Sequence, residues 1–382
     1  MNQPISIPKP TNILSSTISN VTNMKETTVV SILTGFIIVT LIISLGYYFY
    51  MKNLPRKECS FFDSVYGNLE GSIRSIDSNN PDFGYTFKDY YIKTAYNACS
   101  PGNYKNDYVN ICALKDVIKQ GVRGLDFEIY SLNDQPVVAT STSDSYYVKE
   151  TYNYVNFGDV LNTIKTCAFA SSTAPNPQDP IILHLRFKST NQNMFQNLAN
   201  MLESYNSYLM DKSYSYENQG TNFGDTLLTD MLGKIAIIVD KSNTAFVECK
   251  DLMEYVNMTS NSIFMRALNY YDIQNNADIT ELMEFNKRGM TIALPDKGSA
   301  PSNPSGIVVR QAGCQMIAMR YQQIDSNLEE SDLLFAENGY AFVLKPDNLR
   351  YEAVVIDDPE PQNPAVSYET RTVKTDYYEF QI

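Results

Sequence analysis

Histidine is almost missing from this chain: His184 is the single one in 382 residues, and tryptophan is absent altogether. One imidazole leaves no histidine pair for acid–base chemistry. The six cysteines (Cys59, Cys99, Cys112, Cys167, Cys249 and Cys314) form no CxxC pair and no His–Cys cluster, which excludes a zinc site and a thioredoxin-like motif. They read as scattered buried thiols. Neither GxxxxGK[ST] nor GxGxxG occurs, so no nucleotide-binding loop is visible. Positive charge is also in short supply. The 30 Lys+Arg against 43 Asp+Glu give a formal charge of -13, which opposes counterion-release binding to nucleic acid and nonspecific attraction to anionic lipid. A nucleic-acid partner is not expected.

What the chain does have is one long apolar run. Residues 29–51 include Ile32, Leu33, Phe36, Ile37, Ile38, Val39, Leu41, Ile42, Ile43 and Leu45 without a charged side chain, long enough to cross a ~30 Å hydrocarbon core. A polar segment, 1–28, precedes it with the composition of a disordered tail, so the run reads as an uncleaved transmembrane helix and not as a signal peptide. Tyr47, Tyr48 and Tyr50 gather at its end as an interfacial aromatic belt would, followed by Lys52, Arg56 and Lys57 in a short basic linker, 52–60. On the other flank Lys25 is cancelled by Glu26. The charge bias predicts a single-pass protein with its large C-terminal part on the cytoplasmic side, attached to the membrane through 29–51. Of the two Asn-x-Ser/Thr sequons, Asn20 would then be luminal and Asn257 would not.

From 61 to 350 short strand-like apolar runs alternate with helical patterns. Leu125 to Tyr130, Ile181 to Phe187, Lys234 to Val239, Thr291 to Leu294 and Met316 to Tyr321 are runs of the first kind. Leu114-Val117-Ile118 and Leu198-Met201-Leu202, spaced at three and four residues, are of the second. Such alternation predicts an α/β barrel or a doubly wound sheet. The segment 351–382 reads as an acidic tail, with a turn at Asp357-Asp358-Pro359-Glu360-Pro361 and one exposed strand over Tyr368, Thr370, Thr372 and Lys374.

Five motifs decide between the two architectures. Tyr90 to Asn97, Gly121 to Glu128, Pro180 to Arg186, Gly313-Cys314-Gln315-Met316 and Leu344 to Arg350 together resemble the two halves of a eukaryotic-type phosphoinositide-specific phospholipase C catalytic domain. The resemblance implies a TIM-type (β/α)8 barrel, with a first half at about 61–241 and a second at about 249–350. It also implies two catalytic histidines and a calcium ion held by an asparagine, two acidic residues and a glutamate.

At those positions the chain departs from the family. Tyr96 stands where the first histidine belongs and Thr140 where the second does. Asn97, Asp126 and Glu128 remain from the calcium set, but Arg186 replaces the fourth ligand. Residues two apart on a strand share a face, so Asp126 and Glu128 project together, as do Ile182, His184 and Arg186. A guanidinium beside a divalent ion costs roughly 8 kcal/mol at 4 Å and an effective dielectric of 20. The expectation is therefore that calcium is lost, that no cofactor is bound, and that Arg186 forms a structural ion pair with Asp126 and Glu128. His184, deeper on its strand, is expected to be an interior hydrogen-bonded side chain. Head-group contacts are reduced as well: Ile238 and Asp240 stand in place of two lysines, and Thr291-Ile292-Ala293-Leu294-Pro295 lacks the family's arginine and tyrosine.

The sequence thus predicts a membrane-anchored phospholipase C-like pseudoenzyme with a binding or scaffolding role and a lipid or protein partner that the sequence does not name. The enzymatic alternative is a phosphoric diester hydrolase acting on phosphoinositides or related lipids through a rearranged site. A structural protein of a membrane or virion surface is the third reading.

Overall fold

The computed structural model describes residues 26–143, 147–215, 221–352 and 369–382. The apolar run lies within one continuous helix, α1 (Glu26–Tyr66), whose apolar stretch is wholly unburied by protein and long enough to span a membrane. Residues 52–60, read from sequence as a linker, are helical too; Pro55 removes one backbone donor without ending the helix. The last turns of α1 carry Phe62 and Tyr66 into the domain core, and the Tyr66 hydroxyl donates to the Tyr321 carbonyl at 2.9 Å.

The thiol expectation fails at one pair. Cys59 of α1 is disulfide-bonded to Cys112, while Cys99, Cys167, Cys249 and Cys314 are free. The pairing escaped the sequence because it is made by helix packing between residues 53 apart and by no local motif.

The domain is built from β1 (Tyr90–Ala95), β2 (Gly124–Leu132), β3 (Gln135–Val138), β4 (Val155–Asn156), β5 (Ile181–Phe187), β6 (Ile235–Asp240), β7 (Met258–Ser260), β8 (Met265–Asn269), β9 (Met290–Leu294), β10 (Met316–Met319) and β11 (Phe342–Leu344). Eight of these run parallel in the order β7-β6-β5-β2-β1-β10-β9-β8, a nearly closed barrel whose open seam lies between β7 and β8. The strand pair β3 and β4 extends β2 as antiparallel neighbours, and β11 pairs antiparallel with β1. The expected TIM-type barrel is therefore present. Around it lie α2 (Ile111–Lys119), α3 (Phe157–Cys167), α4 (Gln192–Glu203), α5 (Lys250–Met253), α6 (Tyr270–Gln274), α7 (Ile279–Arg288), α8 (Gly306–Gln311) and α9 (Ser326–Asn338).

Strand alternation sorts the core into two shells. Leu125, Phe127, Ile129, Leu183, Leu185 and Phe187 point outward and pack on Leu114, Val117, Leu161 and Leu198 of the helices. Ile92, Ile182, Ala236, Ile238, Ile292 and Met316 fill the barrel interior. Asparagine caps start the helices that follow the strands: Asn110 accepts from Cys112 N at 3.0 Å, and Asn191 accepts from Asn193 N at 3.0 Å.

At the N-terminal ends of the strands, the floor, two polar side chains tie neighbouring segments together. Gln315 Nε2 donates to the carbonyls of Lys88, Asn286 and Gly289 at 2.8, 2.9 and 3.0 Å, and its Oε1 accepts from Thr291 N at 2.9 Å. Lys345 Nζ donates to the Asn286 carbonyl at 2.8 Å; burial pushes this ammonium down to about 7.

The segment 351–382 forms a separate unit. Its described part is a hairpin, β12 (Thr372–Lys374) against β13 (Glu379–Gln381), so the single exposed strand expected there is paired. Hydrogen bonding within the hairpin satisfies backbone groups that a lone strand would leave to water. The acidic turn at 357–361 lies outside the described residues, as do residues 1–25 with Asn20.

Candidate active site

The parallel register of β2 and β5 sets Asp126 beside His184 and Glu128 beside Arg186. With side chains alternating along each strand, all four face the barrel interior, and all four are buried. Arg186 sits at the centre. Its Nε donates to Asp126 Oδ1 at 2.9 Å and its Nη2 to Asp126 Oδ2 at 2.7 Å, a two-point fork; Nη1 donates to Glu128 Oε1 at 3.0 Å. Nη2 also reaches Asn97 Oδ1 at 3.2 Å, and the guanidinium lies 4.7 Å from the centre of the Tyr96 ring.

The remaining acceptors are also engaged. Glu128 Oε2 accepts from the Tyr130 hydroxyl at 2.7 Å and from Ser141 N and Oγ at 3.0 and 3.2 Å. Asp126 Oδ2 accepts from Asn97 N at 3.2 Å, and Oδ1 meets His184 Nδ1 at 2.7 Å. The far ring nitrogen of His184, Nε2, is 3.0 Å from Ser260 Oγ. Burial alone would push the Asp126 carboxyl up; the Arg186 charge and the hydrogen bonds from His184 and Arg186 outweigh it and hold the carboxyl well below the ordinary range. For Arg186 burial works against the charged form, and Asp126, Tyr96 and Glu128 more than compensate, raising its pKa well above the usual value.

Tyr96 and Thr140 are both buried. Tyr96 is buried edge-on against Tyr104 with ring centres 5.4 Å apart, and Lys297 Nζ lies 3.5 Å from its hydroxyl. Tyr104 in turn receives Arg320 Nε at 2.9 Å. Thr140 Oγ1 donates to the Tyr104 carbonyl at 3.1 Å. Sequence reasoning brought together Asn97, Asp126, Glu128, His184 and Arg186. It missed Tyr130, which shares the face of Glu128 two residues on and was legible by strand alternation, and it missed Ser141, Ser260, Lys297 and Arg320, which come from other segments and carry no local signature.

Beyond Arg186, at the C-terminal ends of the strands, a cavity of about 260 Å³ opens between Lys188, Asp240, Ser242, Asn243, Asn261 and Asn269. Asp240 Oδ1 accepts from Asn261 Nδ2 at 2.7 Å and from Ser242 Oγ at 3.0 Å. Ile238, two residues earlier on β6, is buried in the barrel interior.

The architecture has counterparts among known proteins. The family description "Phosphatidylinositol-specific phospholipase C, X domain" matches residues 84–241 and its "Y domain" matches 237–348. The chain belongs to the phosphatidylinositol-specific phospholipase C family. Human 1-phosphatidylinositol 4,5-bisphosphate phosphodiesterase gamma-2 is 28% identical over 149 residues, covering 35% of this chain and 12% of the human one. The crystal structure of S. officinalis PLC21 superposes with a TM-score of 0.57 at 19% identity, covering 70% of this chain and 38% of that one. L. pealei PLC21 gives 0.57 at 18% identity with the same coverage. The chain thus spans well under half the length of each of these relatives.

The residues present do not fit the calcium ion of the family. Both Asp126 oxygens, both Glu128 oxygens and Asn97 Oδ1 accept hydrogen bonds within the protein, and a guanidinium occupies the centre they surround. Among the described residues no three carboxylate, imidazole or thiolate groups converge as a ligand set.

Proposed function

We propose that this phospholipase C-like barrel no longer cleaves phosphodiesters and acts at a membrane as a binding or scaffolding module. The observation that carries the reading is Arg186, which neutralises Asp126 and Glu128 from inside the barrel. General acid–base catalysis needs a titratable group within reach of the reacting oxygen. His184, the only imidazole, is fully buried between Asp126 and Ser260, while the Tyr96 ring lies against the Arg186 guanidinium and Thr140 Oγ1 donates to the Tyr104 carbonyl. The polar cavity beside Lys188 and Asp240 supports the binding role.

The test is release of inositol phosphate from phosphatidylinositol and its phosphorylated forms in mixed micelles, by the full chain, with and without calcium. No release is expected. Calcium-dependent release that disappears in Glu128→Ala would establish the hydrolase reading instead.

The anchoring reading rests on α1. Its orientation is where two observations pull apart. The flanking cations Lys52, Arg56 and Lys57 favour a cytoplasmic barrel, whereas the Cys59–Cys112 bond belongs to oxidising compartments. A covalent bond constrains the compartment more tightly than a short run of flanking charge, which favours a barrel on the oxidising, extracytoplasmic face. The Asn257 sequon does not report the side, because Asn257 is buried and its Nδ2 faces the Tyr214 carbonyl at 3.3 Å. With PEG-maleimide on denatured chain taken from cells, four thiols should react before reduction and six after. Protease added outside sealed membranes should remove the barrel. Six reactive thiols before reduction, with a protected barrel, would restore the cytoplasmic orientation.

A further inference from the structure

Two acidic side chains meet where α1 is fastened to the barrel. The loop that follows β1, residues 96–110, lies at the C-terminal ends of the strands, the mouth of the barrel, and leads into α2. Cys59 of α1 is bonded to Cys112 in the first turn of α2, with 5.7 Å between the Cα atoms. One residue before Cys59, the half-buried Glu58 side chain is hydrogen-bonded to that of Asp107 in the loop. The fit is close: Glu58 Oε1 and Asp107 Oδ2 each lie 2.5 Å from the point that a Cβ at Gly102 would occupy, so the pair needs glycine there.

Two carboxylates cannot hydrogen-bond to each other without a proton between them. The surroundings decide which of the two carries it. Asp107 has the donors an anion needs: Asn103 N donates to Oδ2 at 2.8 Å and Tyr108 N to Oδ1 at 2.9 Å. Glu58 has no such support, and its Oε2 is buried without a hydrogen-bond partner among the described residues. The nearby cations have partners or water of their own. On α1, Arg56 and Lys57 are exposed, with Lys57 over the Tyr50 ring. In the segments packed beside the pair, Lys105 is matched by Glu150 at 2.9 Å and Lys149 Nζ donates to the Thr151 carbonyl at 2.6 Å. On α2, Lys119 is shared by Asp116 and Asp63, and Lys115 is exposed. Tyr108 and Tyr152 pack on each other with ring centres 5.3 Å apart. Burial first, then the hydrogen bond to Asp107 and its charge, push the Glu58 carboxyl up to about 8.

We propose that Glu58 and Asp107 form a proton-operated latch between α1 and the barrel: sharing one proton they hold the last turns of α1 on the loop after β1, and without it they part, leaving the Cys59–Cys112 bond as the pivot. The proton then controls the freedom of the barrel on its helix. The direction follows from linkage. A closed latch keeps a proton that an open one releases near the ordinary 4.5, so the grip is complete in acid, weakens as pH rises, and is gone above about 8. The latch depends neither on whether α1 crosses a bilayer nor on the state of the phosphodiesterase chemistry.

Hydrogen–deuterium exchange of the full chain in detergent micelles tests it, read in peptides from 60–66, from 98–110 and from β2 and β5. Glu58→Gln keeps a donor towards Asp107 and cannot ionise. Intrinsic amide exchange accelerates with pH equally in both proteins, so the ratio of parent to E58Q isolates the latch. In 60–66 and 98–110 that ratio is expected to rise about tenfold or more between about pH 6 and about pH 8 and to level off above, with β2 and β5 unchanged. Gly102→Ala is the second arm, because its Cβ displaces the Glu58 carboxyl. The same two peptides of G102A should exchange faster than the parent's already at about pH 6. A parent-to-E58Q ratio that stays constant across this range would overturn the latch. A rise shared equally by β2 and β5 would overturn it too, since the whole fold would then be opening, and so would a G102A protein that matches the parent.

Discussion

The mouth and the floor of this barrel have been treated differently by the sequence. At the floor, Gln315 and Lys345 keep the identities expected of the family, and their partners are backbone carbonyls and amides. At the mouth, the positions where the family resemblance implies two imidazoles, one ligand and two lysines hold Tyr96, Thr140, Arg186, Ile238 and Asp240, and their partners are mostly other side chains. A side chain that closes backbone hydrogen bonds among several strands cannot change without leaving those groups orphaned. A side chain that serves a ligand can change once its neighbours change with it. Arg186 shows the form this takes: a cation of the protein's own, placed among carboxylates whose repulsion would otherwise oppose folding.

The comparison is most exposed to attack at Arg186. Arg186→Glu sets three carboxyl groups together in a dry barrel and should give the largest loss of stability in metal-free buffer, exceeding that of Arg186→Ala. The alanine variant leaves Asp126 and Glu128 unpaired and should cost about 3 to 5 kcal/mol. Thermal melts with and without millimolar calcium check both. An alanine variant as stable as the parent would break the claim that the mouth is rebuilt around an ion pair. A glutamate variant restored by calcium would instead show that the family's metal site is one substitution away.

At the floor, Gln315→Ala removes one acceptor and the donor shared by three carbonyls, and should cost about 2 to 4 kcal/mol by denaturant titration. A loss well below that would mean that the floor is as replaceable as the mouth.

The two ends should also differ in their response to pH. Asp126 has a folded pKa below its unfolded value of about 4, so its contribution is fully present above pH ~4 and is lost as pH falls through the folded value. Asp126→Asn should be less stable than the parent at neutral pH, and the gap should narrow in acid. Lys345 acts at the opposite end of the scale. Its folded value of about 7 lies below the ordinary 10.5, so between the two the unfolded chain binds the extra proton and stability rises with pH. Lys345→Met should remove that rise while changing stability near neutrality by less than about 1 kcal/mol, the smallest effect of the set.

Much of this was legible in the sequence because it depends on short periods. The two-residue period of β2 and β5 put Asp126, Glu128, His184 and Arg186 on one face, and the barrel has them there. The position of the family's fourth ligand named Arg186 as their partner. Ser260 and Ser141 were not legible, because what brings them to His184 and Glu128 is barrel curvature and the return of a loop; Tyr130, two residues beyond Glu128 on the same strand, was legible by the same period and was overlooked. The Cys59–Cys112 bond failed to show for a related reason: it depends on how α1 packs on α2, and α1 was read as ending before Cys59. Charge and Pro55 in residues 52–60 mimic a linker, yet the i to i-4 ladder continues through them.

That unbroken ladder bears on how the domain would encounter anything else. Nine flexible residues would act as a leash, letting the barrel wander over roughly 15 to 18 Å in every direction. The same nine residues as helix make a rod of ~13 Å with a fixed heading. If the rod is planted in a bilayer, tumbling is reduced to spinning about one axis and drifting sideways. Encounters are then two-dimensional: a molecule sharing that sheet of lipid meets the barrel at the same height and heading at every collision.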